Sequence, residues 1–163
     1  MAVLKNNPDQ TLEDLKKQVL RFLSSRPHSV AEVTKYLHSK TSAAALIDQT
    51  LEFLRKNRLV DDQSFARWLV ESRSRSRPRG NRLLAGELKA KGIDPEIISD
   101  NRMTTDDEYE LAKKALAKKL PPWSRLSAKD YRLKATRYLA ARGFSWETIA
   151  KVVKAGYNDR HVI

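Results

Sequence analysis

Five arginines fall within ten residues: Arg73, Arg75, Arg77, Arg79 and Arg82. A guanidinium is a planar fork of N–H donors that fits a phosphate or a carboxylate in pairs. The chemistry such a cluster offers is the gripping of anions rather than the making or breaking of bonds. Ser-Arg alternation around Pro78 and Gly80 reads as a solvated, flexible connection. A plain solubilising loop is the competing reading. A second basic group, Arg125, Lys129 and Arg132, falls at i, i+4 and i+7, with Lys134 and Arg137 close behind. On a helix those three share one face, and a plain solvated face is the alternative there.

Bond-making chemistry finds no constellation in the sequence. Cysteine is absent, which excludes disulfides, thiolate metal sites and a Cys nucleophile. His28, His38 and His161 are scattered, with no acidic cluster at ligand spacing. Asp61-Asp62 and Asp106-Asp107 stand at the starts of helical patterns, where the helix dipole favours acids. No phosphate-cradling Gly-rich loop, His-Glu metal motif or Ser-His-Asp set is present. The reading is a binding protein with no catalytic residues, metal or cofactor. Lys and Arg number 32 against 20 Asp and Glu, for a net charge of +12. That excess draws the chain toward nucleic acid or another acidic surface, in a salt-dependent way. No signal peptide or membrane span is readable, and the cytoplasm is the expected location.

Helices must position these charges. Five Gly in 163 residues is few for a chain of tight β-turns. Start signals recur at Thr11/Asp14, Ser29/Glu32, Asp94-Pro95-Glu96, Ser127/Asp130 and Ser145/Glu147. Apolar residues follow at helical spacing, as in Leu12, Leu15, Val19 and Phe22, or Ile47, Leu51 and Leu54. Pro78 predicts that the helix begun near Asp62 ends by about Arg77. Pro121-Pro122 predicts another break after Leu120.

The helices repeat. Leu37, Leu88 and Leu139 are spaced by 51 residues, as are Ile47, Ile98 and Ile149. Lys40, Lys91 and Arg142 occupy one further column, and Thr41, Gly92 and Gly143 the next. A fixed period of this size means stacked units, each too small to bury its apolar face alone. The expected fold is all-α: three tandem three-helix, helix-turn-helix-like repeats in an elongated, curved array, divided at residues 11–60, 61–105 and 106–157. Gly92 and Gly143 suit a tight corner because Gly takes positive φ, whereas the Thr41 corner needs another shape.

A helix-turn-helix module reads bases with Arg, Lys, Asn or Gln at the start of its last helix. Here those places hold Ala43-Ala44-Ala45, Asp94-Pro95-Glu96 and Ser145-Trp146-Glu147. Sequence-specific major-groove reading is therefore not expected. Trp146 and Ile149 are expected to pack into their own unit's core.

The segment Asp61-Asp62-Gln63-Ser64-Phe65-Ala66-Arg67-Trp68, then Arg73, then Gly80 to Ile93 with Glu87-Leu88 and Lys91-Gly92-Ile93, resembles the RecX signature. Tyr138-Leu139, Arg142-Gly143-Phe144-Ser145 and Ile149 are similar to that family's last repeat. The Ser-Arg richness after Arg73 departs from the family's usual form. The resemblance implies a curved array that lodges in the groove of the RecA–DNA filament, lowers RecA ATPase and strand exchange, and limits filament growth. It places the chain in homologous recombination and DNA repair, with the SOS response. It also implies binding of single- and double-stranded DNA without sequence specificity, and a monomer is expected. Two other readings stay open: a sequence-nonspecific DNA-binding architectural protein, and a small nuclease.

Overall fold

A computed structural model of the chain describes residues 10–159; His161 lies outside them. Every regular element among the described residues is helical. The first unit holds α1 (Leu12–Leu23), α2 (Val30–His38) and α3 (Ala44–Lys56). The second holds α4 (Asp62–Ser76), α5 (Asn81–Ala90) and α6 (Pro95–Asp100). The third holds α7 (Thr105–Ala117), α8 (Leu120–Trp123), α9 (Ala128–Ala141) and α10 (Trp146–Asp159).

Each unit closes its own core, around Leu15, Leu37 and Leu54 in the first, Phe65 and Leu88 in the second, and Leu116, Leu139 and Val152 in the third. The 51-residue leucine column is buried in all three. Thr11 and Ser29 each form a full capping box, and Asp61, Asp94, Thr104 and Ser127 cap their helices by accepting from backbone N–H groups. The paired acids thus hold helix starts, as their positions imply. One expectation needs correction: Pro121-Pro122 do more than break a helix. They sit inside the one-turn helix α8, whose Trp123 is buried, because Pro is tolerated in a first turn where no N–H partner is required.

The units join by one rule used twice. Ser29 opens α2 and donates its hydroxyl to the Lys91 carbonyl at 2.8 Å. Fifty-one residues on, Gly80 opens α5 and donates its N–H to the Arg142 carbonyl at 2.9 Å. The next N–H in each case reaches an acid on the following unit: Val30 N to Asp62 Oδ1, and Asn81 N to Glu108 Oε1, both at 2.8 Å. The start of each unit's second helix therefore sits on the corner of the unit that follows.

The glycine corners make this approach possible. Gly92 and Gly143 have φ of 75° and 80°. A side chain on Gly92 would stand 2.6 Å from Ala31 Cβ, and one on Gly80 would collide with the backbone of Gly143 and Phe144. The Thr41 corner differs, as expected: Thr41 is buried and its hydroxyl accepts from Ala43 N at 3.1 Å.

Candidate nucleic-acid interface

The arginine cluster does not form a flexible loop. Helix α4 runs through Ser76, so Arg73 and Arg75 are helical and Arg77 is the C-cap. The serine hydroxyls bond back along the helix: Ser74 and Ser76 donate to the Val70 and Ser72 carbonyls at 2.9 Å. Pro78 then ends the helix where the sequence requires.

Nor are the five arginines equivalent. Arg73 and Arg79 converge on the largely buried Glu87: Arg73 donates from Nε at 3.1 Å and again from Nη2, and Arg79 from Nη1 at 2.5 Å. The Arg73 bond holds the Glu87 carboxyl below the ordinary range against the opposing effect of burial. Arg82 reaches across to the third unit and donates to the Ala140 carbonyl at 2.7 Å. Arg75 makes an exposed pair with Glu71, a geometry that contributes little. Arg77 is exposed. The cluster thus splits into two structural cations, one at a junction and two facing outward.

The same 51-residue column explains Glu87. Its counterparts are Tyr36 and Tyr138, and there the corner cation rests on an aromatic face: Lys40 Nζ lies 5.0 Å from the Tyr36 ring and the Arg142 guanidinium 4.6 Å from that of Tyr138.

In the third unit, Arg125, Lys129 and Arg132 are all exposed. Helix α9 begins at Ala128, so Arg125 precedes it and only Lys129 and Arg132 lie on the helix. Arg132 stands 5.5 Å over the Tyr157 ring. With Lys154 it flanks a groove of about 500 Å³ between α9 and α10, floored by Thr136, Ala150 and Val153.

Trp146 does not pack into its unit's core. Ile149 does, at 2% exposure, but Trp146 is 71% exposed. It lines a cleft of about 640 Å³ at the junction of the second and third units, with Arg82, Arg102, Pro95, Ile98 and Phe144. The outward turn of Trp146 has a physical source. Trp146 is the first residue of α10, and its counterparts at 51-residue spacing, Pro95 and Ala44, are exposed too. That column could have flagged it.

The buried acid Glu108 also escaped sequence reading. It accepts from Asn81 N, from Thr148 Oγ1 at 3.0 Å and from Ser145 N at 3.4 Å. A carboxylate so engaged is a structural bolt. Among the described residues no group of three or more His, Asp and Glu is placed to hold a metal, and no helix is long and apolar enough to cross a membrane.

Comparison with known proteins agrees with this architecture. Family models for the first, second and third three-helix domains of RecX match residues 16–54, 61–100 and 106–153. The chain is 31% identical over 152 residues to the regulatory protein RecX of Chlorobium limicola, covering 91% of this chain and 95% of that one. It is 35% identical over 135 residues to that of Chlorobaculum tepidum, covering 83% of each. The crystal structure of RecX from Lactobacillus salivarius superposes with a TM-score of 0.80, covering 93% of this chain and 97% of that one at 21% identity.

Proposed function

This chain belongs to the RecX family of regulatory proteins, and from that premise we propose that it regulates, mainly by inhibition, a RecA-type recombinase. In this reading it binds the recombinase–DNA filament and lowers its ATPase, strand exchange and growth. The observation that carries the reading is the repeated junction. A docking rule used twice stacks three small units in line, and such a string suits the groove of a helical filament. The units are taken as residues 11–60, 61–105 and 106–157. Their outward cations Arg75, Arg77, Arg125, Lys129 and Arg132 would meet DNA phosphates or acidic filament surface.

The protein would act as a monomer in the cytoplasm, without a cofactor or catalytic step of its own. The corresponding place in the third unit differs: Tyr131, 51 residues after Gly80, is fully buried, and α9 starts about a turn early. The test is strand exchange and DNA-dependent ATPase of the cognate recombinase with and without the purified protein. Both should fall at up to stoichiometric ratios, with no hydrolysis by the protein alone. Tight DNA binding without effect on the recombinase would favour an architectural DNA-binding role instead. Metal-dependent cleavage tracking the protein would indicate a nuclease.

A further inference from the structure

We propose that Trp146, Arg82 and Arg102 form a clasp for single-stranded nucleic acid, in which a base stacks on the indole and the guanidiniums hold the flanking phosphates. Trp146 is 71% exposed and stands in the cleft where the second and third units meet. Its placement is fixed from beneath. Ser145 accepts from Thr148 N at 3.2 Å and donates to Thr148 Oγ1 at 2.8 Å, which anchors the start of α10. Phe144, buried, holds the preceding turn. The indole therefore stands on a rigid support.

Charge selects the occupant. Arg82 and Arg102 line the same cleft and both are exposed. Arg82 is held by its bond to the Ala140 carbonyl, and Arg102 follows Asn101, whose amide donates to the Ile97 carbonyl at 2.8 Å. Of the acids here, Glu108 lines the cleft and is buried in hydrogen bonds, and Glu147 pairs with Lys151 at 2.8 Å. Asp94, Glu96 and Asp100 are exposed at and along α6 beside the cleft. The cleft lining thus carries two exposed guanidiniums and one open aromatic face, the combination that takes a single strand by stacking and backbone neutralisation. Bases in a duplex already stack on each other, so the clasp should prefer single strands. Reading by stacking carries no sequence code, which agrees with a last helix that lacks base-reading side chains.

The inference is tested without recombinase, so its failure leaves the regulator reading standing. Full-length protein is titrated at low salt with labelled oligothymidylate, and with an abasic strand of equal length that keeps the phosphates and lacks the bases. Trp146→Ala should weaken oligothymidylate binding roughly tenfold, leave abasic binding within about twofold, and leave the melting temperature unchanged. Trp146→Phe should retain most of the affinity. Arg102→Gln should weaken both strands and flatten the salt dependence. Tryptophan emission should be quenched by oligothymidylate in the wild type and much less in Trp146→Phe. Wild-type affinity in Trp146→Ala, equal losses on both strands, or no binding by the wild type would each overturn the clasp. So would a Trp146-dependent affinity for polyglutamate but not for oligothymidylate, which would assign the cleft to an acidic peptide.

Discussion

The two junctions of this molecule obey one backbone rule and are secured by different forces. At the first, Glu32 collects Arg26 at 3.0 Å and Lys91 at 2.5 Å, and Arg26 also lies 5.9 Å over the Trp68 ring of the second unit. At the second, backbone meets backbone at Gly80 and Gly143, and the acid beneath them is the fully engaged Glu108. The first adds an ionic clamp to its close Gly92–Ala31 approach, whereas the second fits backbone directly on backbone. A 51-residue repeat can therefore conserve the geometry of docking while leaving its energetics free to differ.

The largest effect is expected where the fit is tightest. Gly80→Ala forces a methyl into the Gly143–Phe144 backbone and should cost about 3 kcal/mol, or roughly 10 °C in melting temperature. Sodium chloride up to about 1 M should change that cost little. Glu32→Gln at the first junction should cost less, about 1–2 kcal/mol, and the cost should shrink in high salt as the ion pairs are screened. Equal salt responses in the two variants, measured by denaturant titration, would erase the distinction.

Acid separates the junctions further. Burial raises the Glu32 carboxyl, but its bonds to Arg26 and Lys91 outweigh that and hold it at about 2, against an ordinary 4.5. A carboxyl depressed on folding contributes stability that is complete above its unfolded value and lost as pH falls toward the folded one. Between pH 4.5 and 2 the wild type should therefore lose the contribution of about 1–2 kcal/mol that this ionised group makes. The gap between wild type and Glu32→Gln should close over the same interval. A gap that is constant from pH 7 to pH 3 would show that the clamp contributes nothing.

The smallest effect concerns the arginines. Changing Arg73 and Arg79 together to Gln leaves Glu87 without its cations and should cost about 1–2 kcal/mol. Changing Arg75 and Arg77 to Gln should stay within about 0.5 kcal/mol while weakening DNA or filament binding and its salt dependence. Similar melting temperatures for the two double variants would return all five arginines to a common solvated surface.

Much of this was legible in the chain. The leucine column, the glycine corners and the capping signals mark the units because helix burial and tight corners constrain residue type locally. Less legible was whatever depends on the partner across a junction. Glu108 reads as one more acid in the first turn of α7, and only the adjoining Asn81 and Thr148 reveal that it is buried. The Ser-Arg stretch reads as a loop because the bonds its serines make back along α4 are not visible in a helix propensity. Trp146 reads as core because apolar area is usually buried, whereas its place at the head of α10 turns it outward.

The central claim is that one docking rule, applied twice, stacks the three units in line. Small-angle scattering of the wild-type protein tests it most directly. A compact chain of this length would have a radius of gyration near about 15 Å. The account predicts a clearly larger value with an elongated distance distribution, and a value at the compact limit would contradict it.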